Sequence, residues 1–225
     1  MGYRRAKMAH GADQATREAA EAADLGPREC DVDEGPDPLW KQALRQVVGL
    51  AFNGAQFYRD TGSTLYMAAE SGVRTVFDAL IADARIAVNV TNLEEDTTAL
   101  MTAVEHNHTY IVQKLLTHQD IDKEQADSDG QTAVFRLAYM PISDAEDMLD
   151  VLVDRGVNIN AVDNDNETVL MVLAQECKWS LVELAIERGA RVNIKSKAGM
   201  TAYDYALTKC TDDLTEDVKR ALDPA

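Results

Sequence analysis

Positive charge is scarce in this chain. Its 225 residues hold 22 Lys or Arg against 39 Asp or Glu, giving a net charge of −17 and a pI of about 4.5. Nucleic-acid backbones recruit Lys and Arg, so DNA and RNA are not expected partners. Anionic lipid surfaces are disfavoured for the same reason. No run of about 18 apolar residues occurs, so no membrane insertion is expected. Cysteine is rare too. Cys30, Cys177 and Cys210 are odd in number, widely separated and without a CxxC pair. That pattern argues against a disulfide framework and for a reducing compartment.

The apparatus of chemistry is equally thin. Only four histidines exist, His10, His106, His108 and His118, and no Cys or third His accompanies the 106/108 pair. A zinc site needs more ligands than that. No glycine-rich phosphate loop follows a strand, and no Ser or Cys sits in a nucleophile elbow. The stretch Asp163-Asn164-Asp165-Asn166-Glu167 lacks the sixth-position glycine and twelfth-position glutamate of a calcium loop. We therefore expect no enzyme activity, no metal and no cofactor.

What the chain has is a rhythm. Leu65, Leu100, Val134, Leu170 and Tyr203 follow one another at steps of 35, 34, 36 and 33. Two positions ahead of each stands a hydroxyl residue: Ser63, Thr98, Thr132, Thr168 and Thr201. A period near 33 marks a stack of helical units, each too small to bury its apolar face alone. In each unit the first helix carries small residues, as in Ala68-Ala69, Ala103-Val104 and Leu173-Ala174. The second carries apolar doublets four residues apart, such as Ile111-Val112 with Leu115-Leu116, which form one stripe. Polar turns such as Asp127-Ser128-Asp129-Gly130 join the units.

These segments resemble the ankyrin repeat. Gly130-Gln131-Thr132 matches its opening, and Ala68-Ala69-Glu70-Ser71-Gly72 matches the end of its first helix. Gly156-Val157-Asn158-Ile159-Asn160 and Gly189-Ala190-Arg191-Val192-Asn193 match the close of the second helix and its loop. The segment from Thr201 to Leu207 looks like a C-terminal cap. The expected fold is all-α: an ankyrin-repeat solenoid of about five helix-turn-helix units over 60–222. A capping helix is expected over 38–59, from the helical spacing of Leu39, Trp40, Leu44, Val47 and Val48. A flexible tail is expected over 1–37, where large apolar residues are few.

The departures from the pattern carry expectations of their own. The Pro-Leu-His element of the opening is lost throughout. In the third unit ten residues, not seven, separate the last small residue from the helix-two doublet. The three extra residues fall around Met140-Pro141-Ile142-Ser143, which predicts a lengthened inter-helix turn with Ser143 or Asp144 capping the next helix. Cys177 and Cys210 stand where the family has the glycine ending helix one, and read as packing residues. Trp179 reads as core.

The resemblance implies a non-catalytic protein–protein interaction module, an adaptor or subunit of a larger assembly. The alternative is a regulator or inhibitor that masks a basic surface of an enzyme or nucleic-acid-binding protein. Partner contacts implied by the family pattern are Glu94, Glu95, Thr97, Glu105 and His106; Ser128, Asp129, Gln131, Tyr139 and Met140; and Asn164, Asp165, Glu167, Gln175 and Glu176. Seven of the fifteen are acidic and none is Lys or Arg. A concave face of that sign suits a protein partner with a basic surface or segment, with Tyr139 and Met140 as apolar anchors. Self-association is not required. The cytoplasm is the expected location. Arg4, Arg5 and Lys7, with no acid before Asp13, keep a mitochondrial one open.

Overall fold

Three of the recurring hydroxyls start helices. The Thr98 side-chain oxygen accepts from the Met101 amide at 3.2 Å, and Thr168 does the same for Met171 at 3.4 Å. Thr201 accepts from the Asp204 amide at 3.4 Å. Each satisfies one of the amides that a first helical turn leaves unpaired. In this computed structural model, residues 61–82, 86–92, 96–210 and 215–223 are described. The expected tail (1–37), the expected capping helix (38–59), Glu94 and Glu95 lie outside them.

Within one unit spanning 38–225, the described helices alternate between two layers. The first layer holds α1 (Thr61–Ser71), α3 (Ala99–Glu105), a 3-10 helix (Ala133–Tyr139), α6 (Val169–Gln175) and α8 (Ala202–Lys209). The second holds α2 (Arg74–Ile81), α4 (Thr109–Leu116), α5 (Ile142–Asp154), α7 (Trp179–Glu187) and α9 (Glu216–Leu222). Each helix packs on its pair-mate and on the same layer of the adjacent unit. No sheet is present among the described residues; the isolated bridges Thr91–Thr98 and Val162–Thr168 only pinch the loops at their bases. The periodic apolar residues Leu65, Leu100, Val134 and Leu170 are all at most 2% exposed and form one core with Phe77, Phe135, Leu115 and Leu152. Each such side chain contributes on the order of 2 kcal/mol when withdrawn from water.

The third unit departs from expectation. Its linker is not lengthened: Met140 and Pro141 alone join the 3-10 helix to α5. The extra residues instead lengthen α5 to 13 residues, against 8 in α4 and 9 in α7. Ser143 and Asp144 lie inside its first turn, and Pro141 occupies the N-cap with φ −55°. Proline explains both features. Its fixed φ suits a helix entry, so α5 begins directly after it. Having no amide hydrogen, it cannot close the last α-turn onto Leu137. The Leu137 carbonyl accepts from the Met140 amide instead, a 3-10 bond of 3.3 Å.

A second correction concerns the cysteines. Cys177 and Cys210 form a disulfide, with Cα atoms 5.9 Å apart. The spacing of 33 residues that looks wide in sequence is one repeat period. Residues one period apart are neighbours across the stack.

A candidate interaction face

The row of loop tips is built around aspartates that fold the chain onto itself. Asp127 Oδ1 accepts from the amides of Asp129 at 3.0 Å and Gln131 at 2.8 Å. Asp163 repeats this one unit later, accepting from Asp165 at 2.9 Å and Glu167 at 2.8 Å. Such side-chain-to-backbone turns tighten a loop that a disordered polar stretch would leave slack. Arg136, on the 3-10 helix, donates to the other oxygen of Asp127 at 2.5 Å, with both side chains at most 10% exposed. The third tip is thereby pinned to its own helix by an ion pair.

Adjacent tips are also tied to each other. The Asn164 amide donates to the Asp129 carbonyl at 3.0 Å, and its side chain donates to the Ser128 carbonyl at 2.9 Å. The Lys197 amide donates to the Asp165 carbonyl at 2.8 Å. Gly130 lies so close to the next tip that a Cβ there would meet the Asn164 backbone nitrogen at 2.6 Å, and its φ is +80°. Only glycine combines that approach with that backbone.

At the other edge of the face are the ends of the first-layer helices. His108 Nε2 lies 3.0 Å from the Glu70 carbonyl, and Lys178 Nζ donates to the Met140 carbonyl at 2.5 Å. In both cases a side chain from the following unit satisfies the end of the preceding helix. Burial pushes the Lys178 ammonium below the usual lysine value, with Glu176 opposing that shift. His106 and His108 stack with ring centroids 6.0 Å apart, and His106 Nδ1 lies 3.0 Å from the Thr102 carbonyl.

The residues expected to meet a partner are sorted by this geometry. Ser128, Asp129, Asn164 and Asp165 are exposed on the tied tips. Glu105, His106 and Glu176 are exposed at the ends of α3 and α6, with Gln175 partly covered beside Glu176. Tyr139 is 49% exposed at the end of the 3-10 helix. Gln131 is half-buried under its turn. Glu167 is partly covered and accepts the hydroxyl of Tyr205, whose phenol is pushed up by burial and by that carboxylate. Thr97 and Met140 belong elsewhere: each is 3% exposed, Thr97 at the pinched loop base and Met140 in the core. Of the two expected anchors, only Tyr139 is exposed. Asp127, Arg136 and Lys178 escape the sequence reading, because nothing in their spacing announces which neighbour they reach.

Among the described residues no group of three or more His, Cys, Asp or Glu is placed to hold a metal ion. None of their helices is long and apolar enough to cross a membrane. Compared with protein-family models, residues 65–163 match the one described as ankyrin repeats, in three copies.

Proposed function

Since residues 65–163 are ankyrin repeats, modules that generally bind other proteins, we propose that this chain is a non-catalytic adaptor or assembly subunit that holds a basic protein segment. The observation that supports it most is the row of exposed acids on mutually tied tips. Asp129 and Asp165 project from loops whose backbones are hydrogen-bonded to the next unit. Glu105 and Glu176 flank Tyr139 at the neighbouring helix ends. A partner meeting this face finds its charges already positioned, so little side-chain and loop ordering is charged against affinity. Lys or Arg residues would pair with the carboxylates, and an apolar side chain would cover the Tyr139 ring. At the fifth unit's tip Lys197 and Ala198 stand where the preceding unit carries Asn164 and Asp165. The negative field thus ends toward the C-terminus, which gives a bound segment a preferred direction.

The test is cross-linking mass spectrometry on complexes captured from native extract, using carboxylate-directed chemistry. The expected result is a basic segment linked at Asp129, Asp165, Glu105 or Glu176. Links confined to the second-layer helices would refute the face as the binding surface. The charge-reversed variant Asp129→Lys/Asp165→Lys separates electrostatic recognition from capture by other surfaces. It should lose the partner while keeping its helical spectrum.

A further inference from the structure

The disulfide joins the last two units where their first-layer helices end. Cys177 follows the C-cap of α6, and Cys210 is the C-cap of α8. The unit beyond the bond fully buries few large apolar side chains. In α8 the buried apolar side chains are Ala202 and Ala206, and in α9 they are Val218 and Leu222. By contrast, α6 buries Val169, Leu170, Met171, Leu173 and Ala174. Local backbone preference does not account for Cys177 either. Its φ is +56°, in the left-handed region where the equivalent positions of the first two units carry Gly72 and Asn107. Cysteine is a poor choice for that conformation, glycine and asparagine good ones. Pairing across the stack supplies a reason for cysteine that the turn does not.

We propose that Cys177–Cys210 is a reversible redox latch on the C-terminal unit: oxidised, it clamps α8 and α9 to the stack; reduced, it lets them open locally. The two cysteines are unequally exposed. Cys210 is 4% exposed and faces the carbonyls of Ala174 at 3.4 Å and Gln175 at 3.7 Å, whereas Cys177 is only partly covered. The thiolate of a dithiol reductant therefore attacks Cys177 Sγ, forming a mixed disulfide as the S–S bond breaks. Cys210 leaves as a thiolate and takes a proton. The second thiolate of the reductant then displaces Cys177, which is protonated in turn, and the reductant departs as its own disulfide. Two electrons and two protons end on the protein. While the reduced unit stays docked, the carbonyls of Ala174 and Gln175 can accept from the Cys210 S–H; once it opens, water takes their place. A glutathione-type disulfide runs the exchange backward.

Hydrogen–deuterium exchange on the full chain, resolved by peptide, tests the latch. Protein oxidised with glutathione disulfide is compared with the same protein in excess reduced dithiothreitol. Opening a loop of 33 residues should accelerate exchange in 202–209 and 216–222 on the order of a hundredfold, with 99–116 unchanged. Two variants keep the result interpretable. Cys177→Ala/Cys210→Ala should exchange fast in both buffers and show no response to reductant. Cys177→Gly, which cannot form the bond but suits the left-handed backbone, should exchange in these two segments faster than oxidised wild type and like reduced wild type, in both buffers. Equal exchange of the wild type in both buffers would overturn the proposal. So would a bond that dithiothreitol leaves intact, as mass mapping of alkylated thiols would reveal.

Discussion

At the residue scale, Asp127–Arg136 is the one nearly buried ion pair among the described residues. One carboxylate closes a turn with two amides and neutralises a guanidinium nearly withdrawn from water. Removing only the acid strands the base. Asp127→Ala should lower unfolding free energy by about 3 kcal/mol, measured by urea denaturation. Replacing Arg136 by Met in the same background should recover part of that loss, since an uncharged side chain needs no counter-charge in that space. A purely steric role for Asp127 predicts no recovery. Gly130 makes a different kind of demand, set by the next unit's backbone rather than by charge. Gly130→Ala should cost about 2 kcal/mol. It should also disturb Asn164 and the tip beside it, visible as backbone amide shifts by nuclear magnetic resonance.

At the scale of the element, Thr98 and Thr168 each close a helix start, and Thr→Ala at either should cost about 1 kcal/mol in a thermal or urea melt. The Thr201–Asp204 box adds a titrating member. The Thr201 amide and hydroxyl both donate to Asp204 Oδ2 at 2.8 Å, and these bonds hold its carboxyl below the usual range. A carboxyl depressed on folding stabilises above its unfolded value, near 3.9, and loses that contribution as pH falls through its lower folded value. The urea midpoint of Asp204→Asn should accordingly lie below that of wild type at pH 7, and the gap should close below about pH 4. A gap that persists in acid would mean the side chain acts through shape alone.

These caps show why the helices were legible in the sequence. A hydroxyl, an apolar residue two positions on and a small pair after it record purely local requirements, and they repeat in phase. The third unit was misread because its cause is not local. Pro141 does forbid continuation, as its chemistry requires. Whether the surplus residues enlarge a turn or extend a helix depends on what the neighbouring layer can bury, and Ala145, Met148, Leu149 and Leu152 give α5 an apolar face long enough to extend.

At the scale of the whole molecule, the candidate face was only half visible beforehand. Exposed acids at the tips follow from turn chemistry, so Asp129 and Asp165 could be found by counting. Burial cannot be counted in that way. Met140 sits beside an exposed tyrosine and a proline, yet its side chain enters the core, while its carbonyl is claimed by a lysine from the next unit. The disulfide was missed for the reverse reason: distance along the chain was mistaken for distance in space. The charge distribution makes a collective prediction. If recognition is electrostatic, raising salt from 0.1 to 0.5 M should weaken binding of a Lys/Arg-rich segment roughly tenfold or more, chiefly through slower association. Salt-independent affinity would point to the apolar parts of the surface instead.

The side-chain ties between units reach from 29 to 38 residues along the chain, among the described residues. Each unit is therefore acquainted with its neighbours and with nobody beyond them. Heritable change is constrained accordingly. Duplicating or excising one whole period keeps the helix-on-helix register, whereas losing half a period breaks both sides of the join. The length of such a protein can drift in quanta. A smaller addition is accommodated where α5 is long, at the beginning of a second-layer helix, because a rod lengthened there does not move the rungs.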